Sequence, residues 1–269
     1  MDRLAIEFIS VLGLPPVEFV EVAAELGVGR IGFACNQIVA LPELYPAWSL
    51  RGDPALVRAV KQALAANCVS LSLGEGFLIR AGAEIADQAG DMDILAELGA
   101  PVINVVSIES DPARSEDQLG AFADMAAERG LVASIEYMPG MPIGTLAAAR
   151  DLVVRSGRPN ARLLIDAMHL YRSGDGAAEV AALDPGLIGY AQLCDVPLVG
   201  AHEDYSIEAR FDRRGAGEGE LPLKDFIAAL PRDCTIGLEV PMRDKALAGI
   251  GPVERLGPAV AAARALLSE

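Results

Sequence analysis

The chain has 269 residues, of which 52% are hydrophobic and 22% are charged, a composition that indicates a folded globular protein and excludes a disordered chain. Its formal net charge of −16 would repel a phosphate backbone, so we expect no nucleic-acid partner. The four cysteines form no C-x-x-C pair, so we expect reduced thiols in a cytoplasmic protein. No apolar run reaches the roughly 20 residues of a membrane-spanning helix, so we expect no membrane partner.

Short β-rich runs alternate with longer segments of helical apolar spacing along the whole chain. Because the runs are too apolar to have a solvated face, they indicate a parallel sheet that helices cover. Eight strand-helix units in about 250 residues predict a single-domain (β/α)8 TIM barrel that comprises residues 1–269. The predicted strands span residues 4–11, 30–36, 69–75, 102–108, 131–138, 161–167, 187–194 and 235–240.

An open, doubly wound sheet is the main competing architecture. Such a sheet would carry a Gly-rich phosphate-binding turn after an early strand, whereas the second predicted strand continues into NQIVALPELYP, with no G-x-G-x-x-G. The longest irregular segment, Val196 to Leu221, follows the seventh predicted strand. Loops of that length are usually functional, so we expect this segment to cover the site.

One polar residue recurs near the carboxyl end of four consecutive predicted strands: Glu136, Asp166, Gln192 and Glu239. In a barrel these strand ends face one mouth, where active sites of this fold lie. Three carboxylates that converge there would repel one another unless a cation lay between them. With the side-chain oxygen of Gln192 the ligand set is all oxygen, which favours Mg²⁺ or Mn²⁺ over zinc or copper. The alternative is four unrelated polar residues that each find a hydrogen-bond partner.

Five segments of the sequence together resemble the xylose isomerase-like TIM barrels, a superfamily of sugar and sugar-phosphate isomerases and epimerases, related dehydratases and endonuclease IV. The resemblance covers essentially the whole chain. It implies a divalent metal held by Glu136, Asp166 and Glu239, with Gln192 where the family's epimerases have a histidine. Mn²⁺ or Mg²⁺ is favoured, and Co²⁺ and Zn²⁺ are compatible with the family. The segments are SIEYMP, IDAMH, AQLCDVP, RRGAGEGELPL and GLEVP.

The resemblance also implies roles for these side chains. Glu136 and Glu239 would be catalytic as well as ligands, one removing a proton next to a metal-bound carbonyl and the other returning one, through an enediolate intermediate. His169 would lie over the substrate oxygens. Arg214 would bind a substrate hydroxyl, carboxylate or phosphate, with Arg213 and Arg210 as alternatives. We therefore expect an isomerase or epimerase of a small sugar, polyol or hydroxy-carbonyl compound.

Two other functions stay open at this stage. A dehydratase or lyase of the 3-dehydroshikimate or inosose dehydratase type is favoured by Gln192, which some 3-dehydroshikimate dehydratases share. It is disfavoured by Met138, which stands where those enzymes carry a histidine. A non-catalytic binding protein is the third hypothesis. Endonuclease IV is excluded because its zinc cluster needs many histidines and this chain has two.

The expected partner is a small polyhydroxylated carbonyl compound, and the resemblance is compatible with a homo-oligomer. Glu7, Glu75 and Glu109 also lie at or near predicted strand ends. We expect each of them either to bind substrate hydroxyls or to form an ordinary salt bridge.

Overall fold

A computed structural model describes residues 2–268, and its eight parallel strands form a closed barrel in chain order, with the first strand paired to the last. The predicted single-domain TIM barrel is thus confirmed. The strands are β1 (Leu4–Ile6), β2 (Arg30–Ala34), β3 (Ser70–Ile79), β4 (Val102–Ser107), β5 (Val132–Glu136), β6 (Ala161–Asp166), β7 (Ile188–Leu193) and β8 (Ile236–Leu238).

Helices occupy the connections between the strands and cover the outside of the barrel. Two of them begin with an aspartate cap followed by proline: Asp53 accepts hydrogen bonds from the backbone of Ala55 and Leu56, and Asp111 caps its helix in the same way. The helices are α1 (Pro16–Glu25), α2 (Pro54–Asn67), α3 (Ala89–Glu97), α4 (Pro112–Glu128), α5 (Leu146–Ser156), α6 (Ala167–Arg172), α7 (Ala177–Ala181), α8 (Tyr205–Phe211), α9 (Leu223–Ala229), α10 (Arg243–Leu247) and α11 (Pro252–Leu267).

The prediction for the first strand, residues 4–11, is wrong in its second half. The strand ends at Ile6, and the segment Phe8–Val11 forms a short 3-10 helix whose four residues are all buried. Ser10 explains the change of direction, because its hydroxyl donates to the carbonyl of Leu238 and accepts from the amide of Val240. A helix that is apolar on every side has no periodicity that separates it from a buried strand.

The segment after β7 is less irregular than expected, since it contains α8. Asp195 organises the rest of it: its carboxylate accepts hydrogen bonds from the backbone amides of Val196, Gly217 and Leu221. These bonds fold the segment back over the carboxyl ends of the strands.

The barrel interior has an apolar layer and a polar one. Leu73, Leu164 and Tyr190 pack together inside the barrel as a small cluster, separate from the main core between strands and helices. Buried polar side chains lie around and beyond it, including Glu7, Glu75 and those at the ends of β5 to β8. None of the helices in residues 2–268 is long and apolar enough to cross a bilayer.

Candidate active site

The four predicted ligands lie at one mouth of the barrel. Glu136 and Asp166 are the last residues of β5 and β6, and Gln192 pairs in register with Asp166. Glu239 directly follows β8, where its amide donates to the carbonyl of Leu193 on β7. All four are buried. Their placement follows from the parallel barrel, in which equivalent strand ends meet at the same rim.

Direct contacts join these residues in two halves of one network. His169 Nε2 lies 3.3 Å from Glu136 Oε1, and the backbone amide of His169 donates to Asp166 Oδ1 at 2.8 Å. The side-chain amide of Gln192 donates to Glu239 Oε1 at 3.0 Å. The structure therefore brings Glu136, Asp166, Gln192, Glu239 and His169 together at one mouth of the barrel.

Arg213 connects the two halves of this network. Its Nη1 atom lies 2.7 Å from Asp166 Oδ2 and 2.7 Å from Glu239 Oε2, and only 3% of its side chain is exposed. Its Nε donates to the carbonyl of Ala209 at the end of α8. The segment after β7 thus delivers a buried guanidinium to the carboxylates at the mouth.

The pKa values of these groups follow from burial and from Arg213. Burial acts to raise the pKa of Asp166, but the charge of Arg213 and then His169 hold it below its usual range. Burial, reinforced by Asp166 and Glu136, keeps the pKa of Glu239 well above normal in spite of Arg213. Burial favours loss of the proton from Arg213, yet Asp166 and Glu239 raise its pKa well above normal.

Arg214, the predicted substrate-binding arginine, is not part of this network. Its side chain donates to the backbone carbonyl of Glu218, and its backbone pairs with Asp195. Residues 212 and 214 both form bridge pairs, so the segment is extended there and successive side chains point to opposite sides. Arg213 therefore faces the carboxylates, and both arginines line a cleft between the segments after β7 and β8.

His169 is oriented from three directions. Asp166 caps α6 by accepting from the backbone of His169, so the two residues stand one turn apart. The hydroxyl of Tyr205, on α8, contacts Nδ1 of the imidazole, and Glu136 faces Nε2. Tyr205 was not among the predicted site residues. The only sequence signal for it was its place in the segment after the seventh strand.

The charge and donor types fit a divalent cation. The network holds three carboxyl groups, of which Asp166 and Glu239 contact the one guanidinium, and Gln192 Oε1 is buried without a hydrogen-bond partner. Within residues 2–268, however, no three His, Cys, Asp or Glu side chains are arranged as a metal site. The guanidinium of Arg213 lies between Asp166 and Glu239. A bound cation would replace Arg213 at one of these two carboxylates.

The remaining strand-end acids have different surroundings. Glu109 forms an ion pair with Arg114 at 3.1 Å. Asn104 donates to Glu136 Oε2 at 2.9 Å, so β4 also supports the network. Glu7 and Glu75 are buried inside the barrel, where Tyr190 donates to Glu7 Oε1 at 2.7 Å.

The sequence matches a known family of barrels. Residues 20–267 match the xylose isomerase-like TIM barrel family, so the chain belongs to it. A 3-dehydroshikimate dehydratase of Pseudomonas aeruginosa is 30% identical over 155 residues, which are 55% of this chain and 24% of that protein. The chain therefore spans about a quarter of the length of this curated relative.

Solved structures give the same fold at low sequence identity. An IolI protein with a bound zinc atom has a TM-score of 0.81 and 16% identity, covering 99% of this chain and 98% of that one. A D-psicose 3-epimerase in the presence of D-fructose has a TM-score of 0.71 and 16% identity over all of both chains. A probable 3-dehydroshikimate dehydratase from Bacillus anthracis has a TM-score of 0.73 and 15% identity, covering 98% and 99%. These likenesses concern the fold.

Proposed function

We propose that the protein is a divalent-metal-dependent isomerase or epimerase of a small sugar, polyol or hydroxy-carbonyl compound. The observation that carries this proposal is the contact network at the mouth. Glu136 and Glu239 lie three strands apart around the barrel. A chain of contacts through His169, Asp166 and Arg213 connects them. Carboxylates on different strands of one mouth can face a substrate carbon from different sides. That is what removal and return of a proton require.

The residues that would hold the metal are Glu136, Asp166, Gln192 and Glu239. Their donors are all oxygen atoms, which favours Mn²⁺ or Mg²⁺. A bound divalent cation would polarise a substrate carbonyl and so acidify the neighbouring C–H group. Gln192 supports this assignment, because its side-chain NH2 group donates to Glu239 while its Oε1 atom has no hydrogen-bond partner and is free to bind a metal.

Two of the chain's own groups would act on the substrate beside these carboxylates. His169 is oriented through Tyr205 and Asp166, so its Nε2 atom can donate to or accept from a substrate oxygen in place of Glu136. Arg213 has a planar fork of donors that suits an oxyanion or a carboxylate. Its present contacts with Asp166 and Glu239 would loosen when a cation takes over their charge.

Solvent exchange tests this proposal. The Mn²⁺-loaded protein would be incubated in D2O with a panel of ketoses, aldoses, inositols and hydroxy-keto acids. An isomerase or epimerase would place deuterium on the carbon next to the carbonyl and yield an isomer of unchanged composition. Glu136→Gln and Glu239→Gln should each abolish this exchange, because each removes one of the two proton-transferring carboxylates.

Glu97→Gln is the matched control, since Glu97 is a surface glutamate paired only with Lys61 at 3.4 Å. It should exchange like the wild type. Full exchange in either of the Glu136 and Glu239 variants would contradict the two-carboxylate mechanism. Absence of bound metal after expression with Mn²⁺, and no gain in stability on adding it, would favour the non-catalytic binding protein instead.

A dehydratase is the second candidate, and the 30% identity to a 3-dehydroshikimate dehydratase over 155 residues is the observation that favours it. It would begin with the same proton abstraction and then lose a β-hydroxyl as water. The same incubation separates the two, since a dehydratase would produce an enone with new ultraviolet absorbance. Met138, where those enzymes have histidine, would leave Glu136, Glu239 or His169 as the base.

A further inference from the structure

Two glutamates outside the proposed ligand set lie close together inside the barrel. Glu7 directly follows β1 and is completely buried, and Glu75 lies within β3 and is 9% exposed. Tyr190 from β7 donates to Glu7 Oε1 at 2.7 Å, and Ser72 contacts the same hydroxyl at 2.9 Å. The backbone amide of Phe8 donates to Glu75. Each carboxyl is therefore held on one side. We call Glu7 and Glu75 the carboxyl pair.

Two glycines make the space that the carboxyl group of Glu7 occupies. A Cβ atom on Gly237 of β8 would stand 1.5 Å from Glu7 Oε1, and one on Gly32 of β2 would stand 1.8 Å from Glu7 Oε2. These strands flank β1 on its two sides. No other residue type fits at either position without moving Glu7. The cavity is thus matched to a carboxyl group at this place.

The free oxygens of the carboxyl pair face the same point. Glu7 Oε2 and Glu75 Oε1 are both buried without a hydrogen-bond partner, and a Cβ atom on Gly32 would stand 1.8 Å from the first and 2.7 Å from the second. Two ionised carboxylates cannot sit side by side in an apolar interior without a donor between them. A proton on one of them supplies that donor. The pair would then titrate as a unit.

Among residues 2–268, the titratable groups that act on the carboxyl pair are Tyr190, Glu136 and Glu239. Tyr190 already donates to Glu7, and the charges of Glu136 and Glu239 disfavour a second negative charge on the pair. The buried guanidinium of Arg213 contacts Asp166 and Glu239 instead. Burial raises the pKa of Glu7 to about 7, and burial followed by the charge of Glu7 raises the pKa of Glu75 well above its usual range.

We propose that Glu7 and Glu75 share one proton and that Glu75 is the acid that donates it to a substrate oxygen at the barrel mouth. Glu75 is the member with remaining exposure, and β3 runs on beyond it to Ile79 at the mouth. Glu7 is a positioning residue, which keeps the proton on its neighbour. The donation of this proton to substrate depends on the proposed function, whereas the shared proton does not.

The proton balance is the same for both candidate reactions. Glu136 or Glu239 takes the proton from carbon, and the electrons of that C–H bond form a C=C double bond. In an isomerase or epimerase the carbonyl π electrons move to oxygen, which takes the proton of Glu75. The other glutamate of Glu136 and Glu239 then gives a proton to the neighbouring carbon or to the opposite face of the same carbon. The oxygen of the product carbonyl gives its proton to Glu75, and the two glutamates restore their proton balance through solvent. In a dehydratase the β C–O bond breaks instead, its electrons leave with the oxygen, and the proton of Glu75 completes a water molecule. The base then returns its proton to Glu75 through solvent.

Infrared spectroscopy tests the shared proton without any substrate. A protonated carboxyl group has a C=O stretching band that a carboxylate lacks. The wild-type protein at neutral pH should show this band. The difference spectrum between the wild type and Glu75→Gln should show the loss of one protonated carboxyl group, whatever Glu239 contributes to both spectra. Glu7→Gln should also weaken the band, because its side-chain amide can donate to Glu75 and so favours the ionised form of Glu75. Glu109→Gln is the matched control: this buried strand-end glutamate has an arginine partner, so the band should stay.

Turnover tests the catalytic assignment of Glu75. In the Mn²⁺-loaded enzyme, Glu75→Gln should lower kcat by about 10²–10⁴-fold with KM little changed, as expected for loss of a general acid. It should also remove the limb of the pH profile in which kcat falls as pH rises, because that limb reports the acid losing its proton. Unchanged circular dichroism would show that the variant is folded.

The outcomes separate the two proposals. A wild-type protein without the band would overturn the shared proton. The band together with an unchanged kcat and pH profile in Glu75→Gln would overturn the catalytic role of Glu75. If the band is present but the wild-type protein neither binds metal nor converts any carbonyl compound, the proposed function is overturned and the shared proton stands.

Discussion

Two groups of buried carboxylates lie in this barrel, and they are compensated in different ways. At the mouth, Asp166 and Glu239 share the guanidinium of Arg213, and we call these three residues the arginine cluster. Inside, the carboxyl pair of Glu7 and Glu75 has two oxygens without a hydrogen-bond partner, and no cation of residues 2–268 forms an ion pair with it. The charge of Arg213 favours the ionised form of its carboxylates, whereas a shared proton leaves one carboxyl group neutral and able to donate. In the proposed function, this difference of partner would separate the metal ligands from the acid.

The largest effect should come from removing the cation of the arginine cluster. Arg213→Met would leave the buried carboxyl groups of Asp166 and Glu239 without their cation, with only the amides of His169 and Gln192 as donors, and we expect it to lower the free energy of unfolding by about 3–5 kcal/mol. Urea denaturation at neutral pH measures this. Addition of Mn²⁺ should recover part of the loss, because a bound cation would restore the charge balance.

Arg214→Met is the matched control. Arg214 is partly exposed and donates only to the carbonyl of Glu218, so its loss should cost about 0.5–1.5 kcal/mol. Equal destabilisation by the two variants would mean that the arginine cluster does not stabilise the barrel mouth in the way its geometry indicates.

The carboxyl pair should instead appear in the pH dependence of stability. The pKa of Glu7 is raised from 4.5 to about 7 in the folded protein, so the folded state binds its proton more tightly than the unfolded state does. Its contribution is complete below pH 4.5 and is lost as pH rises through about 7, with a size on the order of 3 kcal/mol.

Glu7→Gln isolates this contribution, since the variant keeps the shape of the side chain and cannot titrate. Between pH 4.5 and 7 the stability of the wild type, measured relative to the variant, should fall as pH rises. A wild type that gains stability relative to the variant over this range would show that the pKa of Glu7 is not raised in the folded protein.

The glycine at position 237 should be the next most sensitive point. Gly237→Ala places a methyl group 1.5 Å from Glu7 Oε1, so we expect a loss of about 1–3 kcal/mol through overpacking. Combining it with Glu7→Ala should cost less than the two separate changes added together, because the obstructed carboxyl group is then absent. Thermal or urea unfolding of the four proteins of this cycle measures the coupling.

Gly90→Ala is the control for this substitution. Gly90 lies in α3 with nothing within 4 Å of its Cβ position, so the change should be neutral or stabilise the helix by up to about 1 kcal/mol. Strictly additive losses in the Gly237 and Glu7 cycle would contradict the fitted cavity.

The smallest effect on stability should follow from loss of the tyrosine that orients His169. Tyr205→Phe should cost about 1 kcal/mol, yet lower activity by about 10–100-fold, as partners that orient site residues commonly do. Tyr171→Phe is the matched control, because its hydroxyl donates to the carbonyl of Pro222 away from the site. Comparable activity in the two variants would remove Tyr205 from the site.

Much of the fold was predictable, because it depends on a local pattern repeated eight times. Alternation of apolar strands and amphipathic helices specifies a parallel barrel without any distance information. The first strand shows the limit of this reasoning. Ser10 turns the chain by bonding to Leu238 and Val240, about 230 residues away, and no local pattern carries that contact.

In the candidate site, the residues at the strand ends were predictable and those on the loops were not. Residues at the ends of β5 to β8 had to meet at the mouth, since parallel strands end on one rim. Whether Arg213 or Arg214 faces the site depends on the phase of an extended segment. The bridge pairs that this segment forms with residues after β7 and after β8 determine that phase. Glu7 was recognised as a strand-end acid, but its fit against Gly32 and Gly237 exists only once the barrel has closed.

The two glycines beside Glu7 also constrain how this sequence can diverge. Alanine at position 32 or 237 is incompatible with the present place of the Glu7 carboxyl group. A small residue at position 7 would release Gly237 but would leave Gly32 constrained, because a Cβ atom there would stand 2.7 Å from Glu75 Oε1. Natural variants that replace either glycine should therefore also replace Glu7, and those that replace Gly32 should change Glu75 as well.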